Sequence, residues 1–177
     1  MLNTKLKSKM KYEEKGVELL ISMLLRYPMI DLLDVDLTEK QIIFTFFLMK
    51  DKACGEIEKK LNSFKKSVNC FNQLTEIDER EFSIRHKNYK KLIKIDLTCN
   101  VFNLTEKKLD FIIELISQIF DKEMYLDEFN LEKKNSFESL DDLLKVIKTK
   151  QEEITEFTYL AFREEDKIKV FNKSDNY

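Results

Sequence analysis

Residues 16–49 read GVELLISMLLRYPMIDLLDVDLTEKQIIFTFFLM, and they predict an apolar helix, a proline break and two strands joined by a polar turn. The helix should end at Pro28, because proline lacks an amide donor and pushes the preceding residue out of the helical region. Residues 30–37 and 41–49 are rich in aliphatic and aromatic side chains, which is typical of strands. The second strand is almost continuously apolar, so we expect it at the centre of a sheet.

The first helix is apolar around most of its circumference. Its predicted stripe is Val17, Leu20, Ile21 and Leu24. A helix with so little polar surface must be covered by its own sheet together with another element or another subunit. Plain core is one reading, and a partner-binding or homodimer surface is the other. For the second reading the candidate contact residues are Leu19, Met23, Leu24 and Tyr27.

The middle of the chain predicts a helix followed by a hairpin. Residues 52–76 have an apolar stripe at helical spacing, made of Ile57, Leu61, Phe64, Val68 and Phe71. Residues 79–87 and 92–99 alternate between apolar and polar side chains, which indicates two half-buried antiparallel strands. The inward side chains should include Phe82, Ile84 and His86 on the first strand and Ile93, Ile95, Leu97 and Cys99 on the second.

Two more helices and a third hairpin follow. Residues 105–121 predict a helix with Thr105 as its N-cap, and residues 139–156 predict another, with Ser139 beginning a capping box. Residues 157–163 and 167–171 then predict two strands. Their inward side chains are expected to be Leu160, Phe162, Ile168 and Val170.

The predicted fold class is α+β, with helix–hairpin units packed in two layers. The first two units have the order α-β-β-α-β-β, a circular permutation of the ferredoxin-like order β-α-β-β-α-β, and further helices and a hairpin follow. Residues 1–12 are predicted to be a mobile basic arm or an early extension of the first helix. Residues 13–123 would form the α+β core domain, and residues 124–177 a C-terminal helix and hairpin extension.

Composition limits the functional classes. The chain has 177 residues, 43% of them hydrophobic and 36% charged, which is typical of a globular protein of one domain or of one domain with an appendage. The net charge of −2 provides no global attraction to nucleic acid or to an anionic membrane. The three cysteines lack metal-ligand spacing, and no window of about 20 residues is free of charges. We therefore expect a soluble cytoplasmic protein without cofactor, metal or membrane span.

Residues capable of catalysis are few. His86 is the only histidine, and a core or interface position is favoured over a role as general base. Acidic residues cluster around the first strand, at Asp31, Asp34, Asp36 and Glu39. They lack the glycine and alternating ligands of a calcium loop, so a solvated strand edge is favoured over a weak cation site. No catalytic residue and no metal ligand is assigned.

A small basic and aromatic patch lies at the tip of the second hairpin. It consists of Lys87, Tyr89, Lys90 and Lys91, together with Lys94. Lysines next to an aromatic ring are typical of RNA contacts, although the acidic overall balance argues against nucleic acid.

Two segments resemble known proteins. The opening helix, Tyr27-Pro28 and the segments LLDVDL and QIIFTFFL resemble the start of small ferredoxin-like regulatory modules, over about a fifth of the chain. This chain lacks the metal-binding cysteine pair and the ligand-loop glycine of such modules, so no binding residues are carried over. The C-terminal LAFREEDKIKVFNK is similar to the ends of some uncharacterised proteins from Gram-positive anaerobes. That similarity implies a bacterial cytoplasmic protein and assigns no activity.

These observations favour a non-catalytic protein that acts through protein–protein contact or homodimerisation. The alternative is a small-ligand or RNA-binding regulatory module that uses the basic hairpin tip. A small enzyme using scattered carboxylates and His86 ranks third.

Overall fold

The structure is a computed structural model that describes residues 2–50, 56–74, 82–124, 139–149, 157–164 and 167–173, with side chains from residue 13 onward. The helices in these ranges are α1 (Leu2–Arg26), α2 (Ile57–Leu74), α3 (Glu106–Phe120) and α4 (Leu140–Thr149). The strands are β1 (Leu32–Asp36), β2 (Gln41–Met49), β3 (Phe82–Asn88), β4 (Leu92–Asn100), β5 (Thr158–Glu164) and β6 (Lys167–Asn172). The predicted ends of α2 and α4, most of the connection between α3 and α4, and the tail beyond residue 173 lie outside these ranges.

The six strands form one antiparallel sheet in the order β3-β4-β2-β1-β5-β6. The near-continuously apolar β2 lies between β4 and β1, which confirms its predicted central position. Helix α2 connects β2 to β3, and β4 pairs antiparallel with both, so β2 and β3 are parallel with one strand between them. The order of the first four strands is therefore that of a permuted ferredoxin-like sheet, and the predicted α+β class is confirmed.

The helices pack on one face of the sheet, and the core lies between the two layers. On that face, alternate side chains of the neighbouring strands β2 and β4 are buried: Ile42, Phe44, Phe46, Leu48, Ile93, Ile95, Leu97 and Cys99. Helix α1 packs against β1, β5, β6 and α4, while α2 packs against α3. The rings of Phe71 and Phe111 stack between α2 and α3 with their centroids 4.1 Å apart. This face is the helix-covered face; the opposite one is the open face.

Helix α1 begins at Leu2, so residues 2–12 extend the first helix, which is the second of the two readings proposed for them. Farther along, Gly16 faces the ring of Phe157, which lies just before β5. A Cβ atom at position 16 would overlap that ring. The absence of a side chain at Gly16 therefore sets how closely α1 approaches the C-terminal hairpin.

Arg163 of β5 joins the C-terminal end of α1 to the sheet. Its Nη1 atom donates to the carbonyls of Pro28 at 2.7 Å and Ile30 at 2.6 Å, and its Nη2 atom donates to Tyr27 at 2.9 Å and to Leu24. The last carbonyls of a helix have no partner within the helix, and the guanidinium donates to one of them, that of Leu24, as well as to the carbonyls of the turn that follows α1. The positive charge also suits the negative end of the helix dipole.

The N-termini of α3 and α4 cap each other. Thr105 Oγ1 accepts from the amide of Lys108 at 3.1 Å, which confirms the predicted N-cap of α3. Glu106 of α3 accepts from the amide of Leu140 at 3.1 Å, and Asp141 of α4 accepts from the amide of Glu106 at 2.8 Å. Two carboxylates thus neutralise two adjacent positive helix ends, and Arg26 of α1 forms an ion pair with Glu106.

The C-terminal residues belong to the same sheet as the core, since all five residues of β1 pair with β5. The predicted facing of β5 is wrong. Tyr159 and Ala161 are buried on the helix-covered face, whereas Leu160 and Phe162 lie half-buried on the open face. Both sets of alternate side chains along β5 are apolar, so the alternation does not decide which set is buried. The small Ala161 and the ring contact between Phe157 and Tyr159 suit the close approach of α1.

Candidate functional site: the open face of the sheet

An apolar cluster lies on the open face of β1, β2, β5 and β6. We call it the apolar patch, and it consists of Leu32, Ile43, Leu160, Phe162 and Phe171. Leu32 lies directly opposite Phe162, and Leu160 lies opposite Phe171. The rings of Phe162 and Phe171 stack with centroids 5.7 Å apart and an interplanar angle of 11°. Phe171 remains 48% exposed, which is unusual for so large an apolar side chain in a strand.

Charged side chains of both signs lie beside the apolar patch, and Asp34 lies within it, between Ile43 and Leu160. Asp34 and Asp36 lie on the open face of β1, and Lys167 and Lys169 lie on that of β6. Lys173 Nζ reaches Asp34 Oδ1 at 2.5 Å. Burial tends to raise the pKa of Asp36, but the hydroxyl of Thr38 and the amides of Thr38 and Glu39 donate to its carboxylate and lower the pKa overall.

A second part of the open face is basic. Lys87 of β3 lies directly opposite Lys94 of β4, and Lys94 lies opposite Phe47 of β2, so one row crosses three strands. Asp96 Oδ1 accepts from Lys94 at 2.9 Å and from the buried hydroxyl of Thr45 at 2.6 Å. The only carboxylate of the β3–β4 hairpin, residues 82–100, is therefore already engaged.

The tip of the β3–β4 hairpin continues this basic region. Lys87 Nζ lies 5.3 Å from the ring centroid of Tyr89, which is cation–π geometry, and Tyr89 is 44% exposed. Lys90 and Lys91 are exposed beside it, and Lys50 Nζ lies 3.4 Å from the carbonyl of Tyr89. The structure thus brings the predicted residues Lys87, Tyr89, Lys90 and Lys91 together. It places the predicted Lys94 beside them and adds Lys50 and Phe47, which the sequence pattern alone did not connect.

The predicted contact residues of α1 lie in the core of a single chain. Leu19, Met23 and Leu24 are at most 2% exposed, and Tyr27 is 6% exposed. The hydroxyl of Tyr27 donates to Asp110 Oδ1 at 2.5 Å, and burial together with this hydrogen bond raises its pKa. Because α4 and the sheet cover α1, these four residues have no surface for a partner. The plain-core reading replaces the prediction of a contact surface there.

The other candidate side chains have structural partners. His86 lies on the helix-covered side of β3 as predicted, with Nε2 at 3.3 Å from Glu58 Oε1 of α2. Asp31 Oδ2 accepts from the amide of Phe47 at 2.8 Å, which extends the pairing of β1 with β2 past the proline break. In the described ranges, no three or more His, Cys, Asp or Glu side chains are grouped as metal ligands would be.

A shallow cavity of about 260 Å³ opens at the end of the sheet away from the hairpin tip. Its lining includes Lys40, Gln41, Ser83, Thr98 and Cys99. Burial raises the pKa of the Cys99 thiol to about 12, although Lys108 opposes the shift. A thiol that stays protonated is a poor nucleophile, so Cys99 does not give this cavity a reactive group.

No helix in the described ranges combines the length and the apolar character needed to cross a bilayer. No family model, no curated protein and no solved structure matches this chain. The geometry of the open face is therefore the basis for assigning a function.

Proposed function

We propose that the protein acts by binding a second copy of itself through the apolar patch. The observation that supports this proposal is the facing of β5, where Leu160 and Phe162 point away from the helices and extend to the 48% exposed Phe171. Apolar clusters with a charged rim on an otherwise polar surface mark protein-binding sites. Two such sheets pack face to face about 10 Å apart, with their side chains interdigitating.

Symmetry favours a second copy as the occupant, because a two-fold axis brings the apolar patch onto itself. Strands β1 and β6 are the two neighbours of β5. A two-fold axis along β5, midway between facing sheets, therefore places β1 of one copy over β6 of the other, and the same contact occurs twice. Because this axis keeps the position along the strands, Asp34 would face Phe171 of the second copy and Leu32 would face Lys169, around stacked Leu160 and Phe162 side chains.

The dimer is expected to be weak. Three strands span about 10 Å, and the seven residues of β5 about 23 Å. A patch of this size is smaller than the standard interface of about 800 Å² per partner. Association should therefore depend on protein concentration in solution.

Sedimentation velocity over a concentration series tests the proposal with Phe171→Glu, which adds a carboxylate to the apolar patch. The wild-type mass should rise from 21.3 kDa toward twice that value, and the variant should remain at 21.3 kDa. Leu74→Glu on α2 is the matched control, since Leu74 is 80% exposed and lies outside the sheet. A wild-type protein that stays monomeric, or equal dissociation of both variants, would overturn self-association through the patch.

A further inference from the structure

We propose that the basic end of the open face binds single-stranded nucleic acid. This basic end consists of Lys50, Arg85, Lys87, Tyr89, Lys90, Lys91, Lys94 and Phe47. The inference is independent of the proposed dimer, because the basic end lies on β2, β3 and β4 and the dimer contact is centred on β5.

The first argument is the pairing of Lys87 with Lys94. Side chains directly opposite each other on one face have Cβ atoms about 5 Å apart, and like charges there destabilise the sheet. The ion pair with Asp96 reduces this repulsion at Lys94, and the cation–π contact with Tyr89 reduces it at Lys87. The hairpin as a whole carries five Lys and Arg side chains against one carboxylate. A bound polyanion would remove the remaining repulsion, so these positions favour a ligand with several negative charges.

The second argument is the aromatic content of the same surface. The exposed ring of Tyr89 lies at the tip, and the half-buried ring of Phe47 lies beside Lys94, about two strand spacings from Lys87. Bases of a single strand stack on such rings while lysines contact the phosphates. In a duplex the bases are already stacked on each other, so a duplex would leave the rings unused. An acidic peptide would use the lysines and likewise leave the aromatic rings without a matching group.

The third argument is charge separation. Residues 31–40 of the β1 region carry four carboxylates and one lysine, and they lie across β2 from the basic hairpin. The protein as a whole is slightly acidic, so binding should be local and confined to a few phosphates. With about three to four phosphates contacted, the slope of log K against log salt should be about −2 to −3.

Fluorescence polarisation tests the site with a labelled oligouridylate of about 12 nucleotides. Lys87→Gln combined with Lys94→Gln should make the salt slope less negative by about 1.4. Tyr89→Ala should weaken binding about tenfold and leave the slope unchanged. Lys65→Gln combined with Lys66→Gln on the exposed face of α2 is the matched control and should change neither quantity.

Three outcomes would overturn the inference. The first is no binding at about 100 μM protein in low salt. The second is an equal loss in the site and control variants, which would mean diffuse attraction by lysines. The third is competition by a duplex or by polyglutamate as strong as that by the single strand, together with no effect of Tyr89→Ala. Circular dichroism melts of each variant show whether the fold is intact.

Discussion

The two edge hairpins of the sheet are attached to the protein in different ways. The β3–β4 hairpin alternates inward apolar and outward polar or charged side chains over most of its length, and β4 pairs with all nine residues of β2. The β5–β6 hairpin is apolar on both faces and is joined to α1 by the guanidinium of Arg163 and by the contact between Gly16 and Phe157. One edge therefore depends on strand pairing, whereas the other also depends on contacts made by single residues far away in sequence.

The largest difference should come from removing one arginine at each edge. Arg163→Ala removes the donor to the carbonyls of Leu24 and of the turn after α1, and should lower the free energy of unfolding by about 3 kcal/mol. Arg85→Ala removes an exposed arginine from β3 and should change it by less than about 0.5 kcal/mol. Urea denaturation of both variants measures these values. Arg163→Lys keeps the charge but not the planar fork, so it should recover only part of the loss.

Equal losses in the free energy of unfolding for Arg163→Ala and Arg85→Ala would contradict this comparison, because they would mean that Arg163 behaves as an ordinary surface residue.

An intermediate effect is expected for Gly16→Ala. Alanine usually stabilises a helix interior by about 1 kcal/mol relative to glycine. Here the new methyl group meets the ring of Phe157, and overpacking should instead destabilise the protein by about 1–3 kcal/mol. Thermal melts of Gly16→Ala, Phe157→Leu and the double variant measure the coupling. A stabilised single variant, or strictly additive effects, would show that the ring does not limit the approach of α1.

The smallest effect concerns the chemistry of the β3–β4 edge rather than its stability. Cys99 of β4 is buried with a pKa of about 12, so at about pH 8 its thiolate fraction is about a thousandfold below that of an ordinary thiol. Alkylation followed by peptide mapping should modify the exposed Cys70 and leave Cys99 intact until the protein unfolds. Cys99 should also remain protected in Arg163→Ala if the edges behave independently. Rapid modification of Cys99 in that variant would show that the two edges are coupled.

Local patterns were enough to predict the elements whose neighbours are close in sequence. The alternation of β3 and β4, the apolar run of β2 and the N-cap Thr105 each carry their own signal, and each is found as predicted. The facing of β5 was not predictable in this way. Leu160 and Ala161 lie on opposite faces of the strand and both are apolar, so the facing depends on the packing of α1 against β5 and on the contact of Gly16 with Phe157, more than a hundred residues apart in sequence.

The candidate site was predictable to the same extent. Lys87 and Tyr89 are near neighbours in sequence, and so the hairpin tip was visible as a basic and aromatic patch. Phe47 joins Lys94 only through the register of β2 with β4, which no local pattern specifies. The prediction of a contact surface on α1 failed because α4, the helix that packs over it, lies more than a hundred residues away in sequence.

The contact between Arg163 and the end of α1 also has a consequence for biosynthesis. About 135 residues separate Leu24, Tyr27, Pro28 and Ile30 from the arginine that binds their carbonyls. At about 5–20 residues per second, a ribosome needs roughly 7–27 seconds to add them. Until then the nascent chain has an uncapped first helix and an unpaired β1 edge. Folding of this protein therefore finishes late in translation or after release. Among its apolar segments, α1 is exposed for the longest time to chaperones that bind such segments.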